Sequence, residues 1–317
     1  MNKILKEKFS YINIIGYILT LSSIFYLVRT FLKLDFAVLP LNHQRIIFYC
    51  PMFLIVYLLS LGALSYSWEL ILEFVSQKPI RTKDIWPVFV QSNIAKYLPG
   101  NVLQYAARNF LGNRLGWKHS DIALSSILEI ILNVVILGIA LIIIVFLGGI
   151  ALPVGSLFDA NLRKWVLFLI IMVIMAVICL GLLCVWKKKE TGEKLKLFCS
   201  KKFPILFVKL LLIYIIIFGG LGVMLALIYF FIFNYPLQWH DVIFIMGVFI
   251  FSFLAGYIIP GSPGGLGIRE YFLLSLLSSS YGQTLTLMAS LVHRVISIIG
   301  DLLAFFLGPR SPNQYEQ

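Results

Sequence analysis

Long apolar stretches recur along this sequence, and each is close in length to the thickness of a lipid bilayer. A helix of about 20 residues crosses the ~30 Å hydrocarbon core, and because lipid offers no partners for open backbone groups, such stretches cross as helices. The composition agrees, since 60% of the residues are hydrophobic and only 13% are charged. We therefore predict an all-α integral membrane protein, a polytopic bundle of about seven to eight transmembrane helices. The predicted spans are residues 11–31, 46–68, 121–149, 165–186, 204–233, 241–259 and 284–308.

The polar stretches between the spans are short. The longest, residues 77–93 and 187–203, are far below the ~50 residues of an independently folding unit. The sequence therefore predicts a single transmembrane domain over residues 1–317. The four cysteines include no C-x-x-C pair, and the aspartates include no D-x-D pair. From these patterns we expect neither a metal site nor a cofactor.

The net charge of +12 is distributed as in a membrane protein. Seven lysines fall between residues 187 and 202, in one short loop between two predicted spans. Such a cluster is typical of a cytoplasmic loop under the positive-inside rule, and it attracts anionic lipid headgroups as well. We predict a multi-pass protein of the cell (cytoplasmic) membrane, with no nucleic-acid partner.

Two short segments interrupt this pattern with residues that a membrane helix does not tolerate. They are KYLPGN at residues 96–101 and PGSPGGLGIRE at residues 260–270. Proline and glycine break a helix, and broken backbone at membrane depth persists only inside protein or beside a water-filled cavity. We predict two broken or re-entrant regions, residues 87–112 and 260–280, that approach each other and line one polar cavity. The alternatives are an interfacial helix for the first region and a tight surface loop for the second.

Charged and polar residues beside these breaks suggest an anion site. After the first break, Asn101, Gln104 and Arg108 fall on one face of a restarting helix, with Lys96 just before it. After the second break, Gly264, Gly265 and Gly267 can form a nest of backbone N–H groups that leads into a helix bearing Arg269 and Glu270. Both arrangements suit a phosphate group.

Two predicted spans carry polar residues along one face. Asp121, Ser125, Glu129 and Asn133 recur every four residues in the third span, and Arg294, Ser297 and Asp301 share a face of the last span. A carboxylate at membrane depth costs about 2.5–3.5 kcal/mol by insertion scales unless it is paired or hydrated. We therefore expect Glu129 to pair with Arg294 or Arg269, and Glu270 to pair with a remaining arginine. His293 is expected to be a packed or interfacial residue.

The residues that we predict to bind substrate share a position at a break or on an inward polar face. They are Lys96, Asn101, Gln104, Arg108, Glu129, Gly264, Gly265, Arg269, Glu270 and Arg294. No catalytic residue is predicted.

The two motifs in this order, NIAKYLPGN followed by Arg108 and Glu129, then P-x-x-PGGLGIRE and Arg294, resemble the lysylphosphatidylglycerol synthase transmembrane-region family. That family includes the flippase half of the multiple peptide resistance factor. The resemblance implies a protein that moves a phospholipid or a lipid-linked sugar between leaflets. One departure is that Glu129 is followed by Ile130, where the family often has arginine.

Three functional hypotheses are compatible with these residues. The first is a flippase for an anionic phospholipid or a polyprenyl-phosphate-linked sugar in cell-envelope biogenesis. The second is a membrane-embedded transferase that acts on a polyprenyl phosphate, with Glu129 or Glu270 as the general base. The third is a non-transporting assembly partner. The expected partners are a lipid or lipid-linked glycan substrate, a second copy in a homo-oligomer, or envelope-biosynthesis enzymes.

Overall fold

The computed structural model describes residues 43–98, 103–148, 197–198, 200–259 and 263–308. Within these ranges the chain forms eight α-helices and no strand. Their lengths and apolar composition confirm the predicted all-α membrane bundle.

Five of the helices in the described ranges are long and apolar enough to cross a membrane. They are α1 (His43–Ser76), α4 (His119–Gly148), α5 (Lys202–Leu227), α6 (Trp239–Ile258) and α8 (Gln283–Leu307). The predicted spans 11–31 and 165–186 lie outside the described residues.

Three further helices are short. They are α2 (Thr82–Asn93), α3 (Leu103–Arg114) and α7 (Ile268–Tyr281). At 1.5 Å per residue, each is about 18–21 Å long, less than the ~30 Å hydrocarbon core. These helices flank the two predicted breaks, so both breaks interrupt helical structure as expected.

The local geometry of each break follows from its sequence. A 3₁₀ turn, Ile94–Tyr97, extends the end of α2, and Leu98 is extended with ψ 149°. The proline that follows Leu98 requires this conformation. At the second break, Gly264, Gly265 and Gly267 have φ of 55°, 74° and 84°. A residue with a Cβ is strained at these positive φ values, so glycine is needed for the sharp turn between α6 and α7.

The contacts between neighbouring helices run in a closed ring: α1 packs on α5, α5 on α6, α6 on α7, α7 on α8, and α8 on α1. α4 packs on α1, α5 and α6, while α2 and α3 pack on each other. One large apolar core contains residues from all six helices other than α2 and α3. A smaller apolar cluster around the buried Trp68 ring holds α2 and α3 against α1 and α4.

A glycine sets the distance between α5 and α6. A Cβ placed on the buried Gly222 would lie 2.9 Å from the Cα of Met246, closer than real Cβ contacts. Small residues permit this approach of two helix backbones, which is how membrane helices gain van der Waals contact. Gly220, two positions earlier, has no atom within 4 Å of its equivalent Cβ position.

We predict that Gly222→Ala destabilises the protein by about 1–3 kcal/mol, because overpacking forces α5 away from α6. Gly220→Ala is the matched control, and we expect it to be neutral or to stabilise by up to ~1 kcal/mol, since alanine is the better helix former. Thermal unfolding of both variants in detergent measures the difference. Equal unfolding midpoints would contradict the close approach seen here.

Candidate functional site

The two breaks meet and enclose a cavity of ≈130 Å³. The 3₁₀ turn of residues 94–97 contacts the turn of residues 263–265. Gly264 lies against the Lys96 carbonyl, since a Cβ built on Gly264 would be 3.6 Å from that oxygen. The prediction that both breaks line one polar cavity is therefore confirmed. The residues of the predicted site that line it are Lys96, Gln104, Arg108, Glu129, Gly264, Gly265, Arg269 and Arg294.

The two remaining residues of the predicted site differ in placement. Glu270 lines a small adjoining cavity of ≈30 Å³ together with Arg269 and Arg294. Asn101 lies outside the described residues. In α3, Arg108 is buried and Gln104 is half-buried at the cavity, whereas Leu103 on the opposite face is exposed. The polar stripe of this helix thus points inward, as predicted.

Arg108 forms a buried ion pair with Glu129. Only 2% of Arg108 is exposed. Its guanidinium carbon lies 4.6 Å from the Trp68 ring and 4.7 Å from the Phe89 ring. Aromatic rings at these distances stabilise a cation through their faces, and they shield the ion pair from water. Arg108 is therefore a fixed part of the cavity wall.

The predicted partner of Glu129 was wrong. We expected Arg294 or Arg269, and the structure shows Arg108 instead. The physical reason is the short turn at residues 115–118, where Gly116 has φ of 82°; it folds α3 back against α4 and sets Arg108 beside Glu129. No periodicity in the sequence encodes this antiparallel contact between two helices.

Lys96 pairs with Asp301, with Nζ 2.7 Å from Oδ2. Asp301 is 1% exposed and also accepts hydrogen bonds from Asn93, Tyr97 and Tyr57. Asp301 was not among the predicted site residues. Its spacing from Arg294 and Ser297 on one helix face was the available signal.

Glu270 joins the second break to α8. Its Oε2 accepts a 2.8 Å hydrogen bond from the Gly267 N–H, and its Oε1 lies 4.0 Å from Arg294 Nε. The expected pairing of Glu270 with a remaining arginine is confirmed. The predicted nest of N–H groups must be corrected, however, because the Gly267 N–H already binds this carboxylate. The Gly264 carbonyl, in turn, accepts a 2.9 Å hydrogen bond from Arg294 Nη2.

Arg269 has a different environment from the other three cations. Its side chain packs against Gly256 and Gly265, where any Cβ would collide with it. Its guanidinium carbon is 4.0 Å from the centroid of the Phe253 ring. Its Nε is buried without a hydrogen-bond partner, and no carboxylate lies within ion-pair distance among the described residues.

The cavity therefore has an excess of positive charge. Four cations line it, and three carboxylates pair with three of them: Asp301 with Lys96, Glu129 with Arg108, and Glu270 with Arg294. With histidine taken as neutral, one net positive charge remains, and Arg269 carries it. An unpaired charge at membrane depth is costly, so this arrangement favours a bound anion.

Neutral polar groups complete the cavity wall. Tyr105 and Tyr257 share a 2.7 Å hydrogen bond between their hydroxyls. His293 packs against Phe249, as expected of a packed histidine, but it also lines the cavity. In the part of the chain that the structure describes, no group of three His, Cys, Asp or Glu side chains is placed to hold a metal ion.

We predict that Arg108→Gln and Glu129→Gln each destabilise the protein by about 3–5 kcal/mol, because each leaves the other charge buried and unpaired. The double variant should recover much of this loss. The control is Arg81→Gln, which breaks an Arg81–Asp84 pair whose arginine side chain is 71% exposed. That change should cost less than ~1 kcal/mol. Thermal unfolding in detergent measures all four, and additive losses in the double variant would contradict a coupled pair.

Among curated proteins and solved structures, none shows significant similarity to the chain. A family model described as the lysylphosphatidylglycerol synthase TM region matches residues 13–304. The matched range contains both breaks and every charged residue of the cavity. The chain therefore belongs to the lysylphosphatidylglycerol synthase transmembrane-region family, a family of multi-pass membrane domains.

Proposed function

We propose that the protein is a flippase that moves a phosphate-bearing lipid between the leaflets of the cytoplasmic membrane. The substrate is an anionic phospholipid or a polyprenyl-phosphate-linked sugar used in cell-envelope biogenesis. The observation that carries this proposal is the net positive cavity at the meeting point of two broken helical segments. Membership of a lipid-related membrane family also supports a lipid substrate.

The phosphate group would bind at the second break. Arg269 has no carboxylate partner among the described residues, and Arg294 makes only a distant, 4.0 Å contact with Glu270. Two guanidinium groups on adjacent helices can hold a phosphate with several charge-assisted hydrogen bonds. A monoanionic phosphodiester would bring the net charge of the cavity to zero.

The cavity size limits what enters it in this conformation. Its ≈130 Å³ is below the ~300–1,000 Å³ of sites that enclose whole small molecules. A phosphate-sized group fits, whereas a complete sugar headgroup or an acyl chain does not. Transport therefore requires the cavity to open while the lipid tails stay in the bilayer.

The engagement of the carboxylates favours transport over transferase chemistry. A general base needs a carboxylate that is free to take a proton from the substrate. Glu129 is bonded to the buried Arg108, and Glu270 caps the first turn of α7 through the Gly267 N–H. Protonation of either carboxylate would weaken these structural contacts.

Reconstitution in liposomes tests the proposal directly. Vesicles carry a fluorescent phosphatidylglycerol or a fluorescent polyprenyl-phosphate sugar, and a membrane-impermeant quencher reports the fraction in the outer leaflet over time. A fluorescent glucosylceramide, a neutral lipid whose headgroup carries no phosphate, serves as the control lipid. Chromatography of the same samples detects any chemical conversion. Conversion without leaflet exchange would support the transferase and contradict the flippase.

We predict that Arg269→Gln lowers leaflet exchange by about 10- to 100-fold, the loss expected on removing a charged hydrogen-bonding group worth ~1.5–3 kcal/mol. Arg269→Lys should retain part of the activity, because it keeps the charge but not the planar fork. Arg81→Gln, at the exposed end of α2, is the matched control and should transport as the wild type does. Full activity in Arg269→Gln at equal protein level would refute the placement of the phosphate.

A further inference from the structure

Asp301 makes an unusually complete set of contacts for a carboxylate inside a membrane bundle. Its Oδ2 receives Lys96 Nζ at 2.7 Å and the Tyr97 hydroxyl at 2.5 Å. Its Oδ1 receives Asn93 Nδ2 at 2.8 Å and the Tyr57 hydroxyl at 3.0 Å. Four donors thus converge on one buried carboxylate, which is close to the number that its oxygens can accept.

The four donors come from two different parts of the fold. Tyr57 belongs to α1, whereas Asn93, Lys96 and Tyr97 belong to the end of α2 and the 3₁₀ turn of the first break. Asp301 itself lies in α8. This carboxylate therefore ties the first break to two long helices, behind donors that line the cavity.

Only one of the four donors is charged, and it is the one that can leave. Lys96 has a flexible four-carbon stem, and 21% of its side chain is exposed, whereas the Asp301 side chain is fully buried. If Lys96 moved away, Asp301 would keep three neutral hydrogen bonds. Three remaining hydrogen bonds hold the carboxylate in place without an ion-pair partner.

We propose that Asp301 is an internal counter-ion for Lys96, and that the phosphate of an entering lipid displaces it. This inference rests on the proposed function and extends it. In the structure, Asp301 binds the ammonium group of Lys96. When the phosphate binds at Arg269 and Arg294, it supplies a second anion, and Lys96 turns from the carboxylate to the phosphate. Asp301 is thus a positioning residue for Lys96, and Lys96 becomes a phosphate ligand only after the lipid has entered.

The position of Lys96 connects this exchange to the second break. Its backbone carbonyl contacts Gly264, whose own carbonyl accepts a hydrogen bond from Arg294. Lys96 therefore lies next to the turn that contacts Arg294, within the same cavity wall as the phosphate-binding arginines. Competition between Asp301 and the phosphate also weakens lipid binding, which helps release on the far side.

Binding of dioctanoyl phosphatidylglycerol, measured by titration calorimetry in detergent at fixed ionic strength, tests this exchange. Asp301→Asn removes the competing charge, and we expect about tenfold tighter binding together with slower leaflet exchange in liposomes. Asp121→Asn, a buried aspartate of α4 outside the cavity, is the matched control and should leave the affinity unchanged. Unchanged or weaker binding in Asp301→Asn overturns the inference.

A second pair of variants separates the exchange from simple repulsion between Asp301 and the lipid. Lys96→Gln should weaken binding, and Lys96→Gln/Asp301→Asn should bind within about twofold of Lys96→Gln, because Asp301 acts only through Lys96. Tighter binding by this double variant shows direct repulsion and overturns the inference. The comparison holds even if Asp301→Asn alone does not fold, since the double variant buries no unpaired charge and Lys96→Gln leaves Asp301 with three hydrogen bonds.

The two proposals fail in different ways. If wild-type protein neither binds nor moves the phosphatidylglycerol or polyprenyl-phosphate probes, the flippase function fails. If the wild type binds and Arg269→Gln does not, but the affinity is insensitive to Asp301, only the counter-ion exchange is wrong.

Discussion

The cost of a charge inside a membrane bundle organises this structure. A charged side chain away from water must find a partner or a hydrated cavity. Three ion pairs meet this demand, and each joins separate elements: Lys96 with Asp301, Arg108 with Glu129, and Arg294 with Glu270. The pairs thereby fix how the short helices α2, α3 and α7 lie against the long ones.

The two breaks and the turns between neighbouring helices make these pairs possible. In continuous helices these cations would not reach their carboxylate partners, because a helix places its side chains at fixed heights and angles. The extended Leu98 and the positive-φ glycines of residues 264–267 let the chain turn inside the bundle. Glycines also give Arg269 its place, because Gly256 and Gly265 leave room for its side chain.

The cations of the cavity have different degrees of freedom, and this difference has functional meaning. Arg108 is held by a carboxylate and by aromatic rings, so it serves as a fixed wall. Arg269 lacks a carboxylate partner among the described residues and rests on the Phe253 ring. Lys96 has a partner but also a flexible stem. A site that must bind and then release an anion needs both fixed and exchangeable charges, because binding that is too strong prevents release.

The sequence by itself determined the membrane class, the all-α architecture and the positions of both breaks. These features depend on local properties: the length of apolar stretches, the geometry of proline and glycine, and the helical period. The sequence also identified most charged residues of the cavity, because a charged side chain at membrane depth needs a partner or a hydrated cavity. The tertiary structure alone decided the partners. Arg108 rather than Arg294 meets Glu129, and Asp301 receives Lys96, because ion pairs across helices depend on how broken segments fold back, which no local pattern encodes.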